Sequence, residues 1–134
     1  MVRLVSRIRQ KARGFTLVEL LIVTVLIGLL AAIALPKFVN TRQKSMLAAM
    51  KSDLRNMATA QENYFSTYFT YTSNINNFDF NMTQNVSVTI PEADNSGWRG
   101  TATHSGAPGK TCEIYYGDAS GATVATHEGS VECN

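Results

Sequence analysis

The chain has 134 residues, enough for one domain and a long helix, and its formal charge of +2 conceals two differently charged parts. Five of its twelve basic side chains, Arg3, Arg7, Arg9, Lys11 and Arg13, fall in the first 14 residues, which hold no acid; the remainder carries seven basic against ten acidic groups, a net −3. That balance lends no support to a general affinity for nucleic acid or for an anionic membrane surface, and specific nucleic-acid binding is not indicated.

Residues 1–14 read as a basic leader held on the cytoplasmic side by the positive-inside bias. From Leu17 to Leu35 only Glu19 and Thr24 are neither apolar nor small. As a helix, Phe15 to Leu35 spans about 31 Å, roughly one hydrocarbon core, so residues 15–36 are predicted to form a transmembrane helix. A carboxylate one turn inside it costs roughly 3 kcal/mol unless paired. Glu19 therefore needs a partner, or must snorkel to the headgroups. An ordinary secretory signal is cleaved after its apolar run, whereas the small-residue break here, Gly14, precedes it. Cleavage after Gly14 would remove the charged leader and leave the helix attached.

Gly14-Phe15-Thr16-Leu17-Val18-Glu19, followed by Ala31-Ala32-Ile33-Ala34-Leu35-Pro36, resembles the N-terminus of type IV pilins and of the related type II secretion pseudopilins. The resemblance is dense over about Gly14 to Val39 and thins beyond. It implies that a membrane aspartyl (prepilin) peptidase cuts between Gly14 and Phe15 and methylates the new amine of Phe15. It also implies that Glu19 pairs with the Phe15 amine of a neighbouring subunit during assembly. Physical logic agrees, since an ammonium and a carboxylate that are each costly in lipid offset one another. Gly28 weakens a helix and Pro36 removes a hydrogen bond and bends it. The family implies that helix between such positions can melt in assembled pili; ordinary tolerance of Gly and Pro in membrane helices is the other reading.

Beyond the span, residues 37–69 are predicted to continue as an amphipathic helix, giving more than 50 helical residues from about Thr16. Leu47, Met50, Leu54, Met57, Gln61, Tyr64 and Tyr68 recur at steps of three and four with Phe65 beside them, while Lys44, Lys51, Asp53, Arg55 and Glu62 lie off that line. The stripe reads as a spine for a small sheet. Residues 70–84, rich in Thr, Ser and Asn, read as a helix-to-sheet loop held by Phe78 and Phe80. Asn81-Met82-Thr83 and Asn85-Val86-Ser87 fit the glycosylation tripeptide, a pattern frequent by chance.

Within residues 85–134, Val86 to Ile90 alternates and should end at Pro91; Trp98 to His104 and Thr111 to Tyr116 follow as strands, with weaker extended segments at 122–126 and 130–133. The predicted fold class is α+β, a long N-terminal membrane-spanning helix whose C-terminal half packs on a small antiparallel sheet, the pilin fold. Cys112 and Cys133, the only cysteines, read as a disulfide in an exported domain, worth about 3 kcal/mol for a loop of that size. Two free buried thiols are the alternative. Many pilins carry a disulfide-bounded C-terminal loop.

His104 and His127, with Glu113, Asp118 and Glu128, lack any recognised ligand spacing, and no phosphate loop or nucleophile elbow is present. The histidines read as solvent-exposed loop residues; no catalytic residue, metal site or cofactor is predicted. The expected function is a structural type IV pilus subunit, a homo-oligomer in a helical filament with roles in adhesion, twitching or DNA uptake. Its expected partners are the prepilin peptidase, the pilus assembly machinery and, before assembly, the inner membrane. A type II secretion pseudopilin or minor pilin shares the N-terminus. A tethered binding module that never polymerises would tolerate Glu19→Ala. Conduction along Phe15, Phe38, Tyr64, Phe65, Tyr68 and Phe69 has little to support it, because aromatics at 9% are ordinary and the later cluster has a core role.

Overall fold

The computed structural model describes residues 14–119 and 121–134, so of the basic leader only Gly14 lies within the described residues. Helix α1 (Leu17–Tyr68, 52 residues) is followed by a 3-10 turn at Ile75–Asn77 and strands β1 (Val86–Ala93), β2 (Gly97–His104), β3 (Thr111–Gly117) and β4 (Glu132–Cys133). The strands form one antiparallel sheet in the order β1-β2-β3-β4. This is the α+β, pilin-like layout the sequence predicts. By internal contacts the chain divides into two compact units, one ending at Phe38 and the other running from Val39 to Asn134.

In the first unit every described residue is exposed, and the helical stretch is long and apolar enough to cross a membrane by length and composition. A helix apolar on all sides satisfies its backbone internally but leaves its side chains in need of non-aqueous surroundings. Gly28 and Pro36 both lie inside α1, which is helical on either side of each.

The second unit has an ordinary core. Met50, Leu54, Met57, Ala58 and Gln61 of α1 are buried, together with Val86, Val88 and Ile90 of β1, Trp98 and Ala102 of β2, Cys112 and Ile114 of β3, and Val131. Tyr68, placed on the same stripe by its spacing, is instead 61% exposed. The helix ends there, and the next residue, Phe69, adopts the left-handed φ of 54° while its N–H still reaches the Phe65 carbonyl at 2.8 Å. Asp53 corrects the expected pattern: it is buried, and its carboxylate accepts hydrogen bonds from the Thr83 amide and hydroxyl, both at 2.8 Å. Gln61 grips the same loop further up, donating to the Thr72 carbonyl at 2.7 Å and accepting from the Thr72 amide at 3.1 Å. The 70–84 segment is thus anchored by two polar clamps as well as by the partly buried Phe78 and Phe80.

Strand β1 continues through Pro91 to Ala93 rather than stopping before the proline. Two features allow it: β1 is an edge strand, and its register with β2 shifts between Thr89 and Glu92, so that Ile90 and Pro91 form a bulge. Opposite lies Gly100, where a Cβ would come within 2.9 Å of the Trp98 ring and 3.4 Å of Leu54. Absence of a side chain at Gly100 lets the sheet close on the indole. Trp98 is fully buried and stacks on Tyr116 at 5.6 Å. Of the weaker extended segments, 132–133 forms β4 and 122–126 forms no strand.

Candidate functional site

Gly14 to Thr16 precede the helix and are exposed, with open space around Gly14. Thr16 and Glu19 form a reciprocal N-terminal cap. Glu19 Oε2 accepts from the Thr16 amide and from the Thr16 hydroxyl, each at 3.0 Å, and Thr16 Oγ1 accepts from the Glu19 amide at 3.1 Å. The resemblance implies a partner for Glu19 in another subunit; the single chain supplies one three residues away. The signal was available as Thr-x-x-Glu ahead of an apolar run. Both partners are exposed, so the cap leaves the acid accessible.

The C-terminal region holds the other dense cluster. Cys112 and Cys133 are joined by a disulfide across β3 and β4, in register with one another. Beside it, Glu113 is 1% exposed, a burial that nothing in the local sequence signals. Its Oε1 accepts from Arg99 Nη1 at 2.9 Å, and its Oε2 accepts from the amides of Thr123, Val124 and Ala125 at 2.8, 2.6 and 3.0 Å. Burial pushes the Glu113 carboxyl up, but the amides of Ala125 and Val124, the Arg99 guanidinium and the Thr123 amide together outweigh it and hold it below its ordinary value. The backbone of 123–125 is therefore folded around a carboxylate, which is why that segment does not pair as a strand.

Further out, Glu132 Oε1 meets His127 Nδ1 at 2.8 Å, and Oε2 accepts from the Thr126 amide at 3.1 Å. The His127 contact, then the Thr126 hydrogen bonds, lower the Glu132 carboxyl to about 2. The side chain of His127 is 81% exposed, as a loop residue should be. His104 differs: it is the last residue of β2, half-buried, and its Nδ1 accepts from the Gly106 amide at 2.9 Å. Glu128 bonds the Gly117 amide at 2.7 Å. Among the described residues no group of three or more His, Cys, Asp or Glu is arranged to hold a metal ion.

Comparison with known proteins places these features. Residues 9–35 match the prokaryotic N-terminal methylation motif. The chain is 42% identical over 76 residues to the type IV major pilin protein PilA of Myxococcus xanthus, covering 57% of this chain and 34% of that one. It is 37% identical over 65 residues to the type IV wide pilus major component PilA4 of Thermus thermophilus, covering 48% and 50%. With the type II secretion system core protein G of Pseudomonas aeruginosa it shares 32% identity over 65 residues, covering 48% and 46%. The chain spans only a third to a half of the length of these relatives. The matched motif runs into the exposed apolar helix, which is joined in sequence to a four-stranded sheet domain. The motif and the likeness to major pilins support a type IV pilin.

Proposed function

We propose that this chain is the structural subunit of a type IV pilus, held in the inner membrane by α1 and polymerised into an extracellular filament. A prepilin peptidase cuts between Gly14 and Phe15, and Phe15 becomes the methylated N-terminus. Assembly moves the apolar part of α1 from lipid into a core of like helices, where Glu19 pairs with the Phe15 amine of the next subunit. The observation that carries this reading is the pairing of opposites at one end of α1: an entirely exposed apolar surface and, within its first turn, an exposed carboxylate. Lipid accommodates the surface and disfavours the acid; a neighbouring ammonium suits the acid. Thr16 holds Glu19 in the lone chain, and the next subunit's amine would compete for the same oxygens. Gly28 and Pro36 are the positions at which α1 yields if packing in the filament requires it.

Intact mass of the subunit from sheared surface filaments tests the proposal. The expected species begins at Phe15, carries one added methyl group and has oxidised cysteines; a species beginning at Met1 contradicts it. The likeness to core protein G favours a second reading, a pseudopilin whose filament is short. Long surface filaments at native expression support the pilus, and filaments seen only on overexpression support the pseudopilin. Adhesion, twitching and DNA uptake are uses such a filament would serve, driven by the assembly machinery.

A further inference from the structure

The charges of the second unit are sorted by end. Residues 39–55 carry Arg42, Lys44, Lys51 and Arg55 against one acid, Asp53, whose carboxylate is buried and engaged by Thr83. Residues 56–98 carry Glu62, Asp79, Glu92 and Asp94 and no lysine or arginine. Folding keeps the two sets apart. Lys44 and Lys51 line one groove with Asn134, whose Oδ1 accepts from the Thr111 amide at 2.9 Å, so Lys110 joins them at the end where α1 enters the unit. About 36 Å further along α1, at Tyr68, the helix finishes against the other end of the sheet. There the Tyr71 amide donates to the Asp94 carbonyl at 2.9 Å and the Tyr71 hydroxyl to Glu62 at 3.2 Å, the Asp118 amide donates to the Ser96 carbonyl at 3.3 Å, and Glu128 accepts from the Gly117 amide at 2.7 Å. Burial, then the charge of Glu62 and more weakly that of Glu128, push the Tyr71 hydroxyl above its ordinary value. Among the described residues, neither the amines of Lys44, Lys51 and Lys110 nor the carboxylates of Glu62, Asp94, Asp118 and Glu128 take part in an ion pair. Like charges gathered at one end repel one another, and a surface of opposite sign relieves that repulsion.

We propose that the acidic end of one subunit docks on the basic end of the next, so that copies of this chain stack head to tail. Both complementary surfaces belong to one chain and lie at opposite ends, so the contact is heterologous and gives an open filament unless its rotation closes a ring. An anionic lipid surface fits the basic end alone, and a basic protein fits the acidic end alone. A second copy answers to both. Exposed ion pairs are individually weak and are screened beyond about 8 Å at physiological salt, so this contact sets direction and register while the apolar helix supplies cohesion. The inference rests on the filament reading for its setting and deepens it by naming the surfaces through which the sheet domains meet.

Zero-length carbodiimide coupling joins a lysine amine to a carboxylate it touches, with loss of water, and tests the contact on the full-length chain. Two fractions of the same cells are treated, sheared surface filaments and membranes, and the isopeptides are located by mass spectrometry. Links from Lys44 or Lys110 to Glu62, Asp94 or Asp118 are expected; the two ends of one chain lie further apart than two side chains reach, so each such link joins different copies. Lys44→Glu with Lys110→Glu should lower filament yield about tenfold, as should Glu62→Lys with Asp118→Lys, and all four together should restore it to within about twofold, with amine and carboxylate exchanged in the links. All four side chains are exposed, and near-UV circular dichroism from the buried Trp98 checks that each variant is folded; if one misfolds, the parent's links decide alone. Parent filaments that couple only at other positions, or a folded fourfold variant no better than either pair, overturn the docking and leave the filament reading intact. The expected links in membranes of cells that make no filaments support the docking and contradict the filament reading. Absence of the links from both fractions overturns the proposal, and so does a loss from Lys44→Glu with Lys110→Glu that reversing the acidic end does not repair, which assigns the basic end to anionic lipid.

Discussion

Glu113 and Asp53 are two buried acids with opposite histories in the fold: one is wrapped by a loop, the other clamps one to a helix. Removing the Glu113 carboxylate strips Arg99 of its close partner and leaves the amides of Thr123, Val124 and Ala125 without an acceptor. Glu113→Ala should therefore lower unfolding free energy by about 3 kcal/mol, read from denaturant unfolding at Trp98. Asp53→Ala orphans one amide and one hydroxyl on Thr83, and should cost about 1–3 kcal/mol. A carboxyl held below its ordinary value in the folded chain contributes stability above that value and loses it as pH falls through the folded one. Glu113 is such a group, as is Glu132 at about 2 against an ordinary 4.5. Stability should hold above the ordinary carboxylate range and fall between pH 4.5 and about 2, with Glu113→Gln flattening that decline. Neither burial was legible in the sequence. Asp53 sits on a helix whose other charges are exposed or, at Lys51, half-buried, and Glu113 faces inward because its partners come from β2 and from a loop ten to twelve residues ahead, a pairing that local periodicity cannot encode. The Thr16–Glu19 cap was legible, since its signal is local.

At the scale of elements, periodicity served well where one face is buried and badly at ends. The alternation of β1 is observed as expected, but Pro91 ended the predicted strand because a missing N–H ordinarily breaks a ladder. An edge position and a bulge remove that requirement, and both are properties of the sheet rather than of the segment. Gly100→Ala should destabilise by roughly 1–3 kcal/mol, because the added methyl meets the Trp98 ring at 2.9 Å; the shift in thermal unfolding midpoint is the readout. Strand β4 is only two residues long and pairs through Cys112↔Cys133 and Glu113↔Glu132. So short a strand depends on its covalent tie. Cys112→Ser with Cys133→Ser should lower stability by about 3 kcal/mol and raise amide exchange over 126–134 before that of β1 to β3. Equal protection of those residues with and without the disulfide would show that β4 holds by pairing alone.

At the scale of the molecule, the apolar part of α1 and the sheet domain answer to different solvents. The second unit buries its own core, whereas the first has no described residue shielded from solvent, so its surroundings must come from outside the chain. This division was readable from composition alone, because an apolar run of membrane length next to an amphipathic stripe needs no tertiary information. Glu19 is where the two environments make different demands. In lipid it is a cost relieved by Thr16; in the proposed filament it would set register against a neighbour's amine. The most direct test is therefore the yield of sheared surface filaments from cells producing the Glu19→Ala chain, with processing followed by mass. The account predicts a subunit still cut after Gly14 and retained in the membrane, with filaments absent. Filaments of ordinary number and length from Glu19→Ala would contradict it.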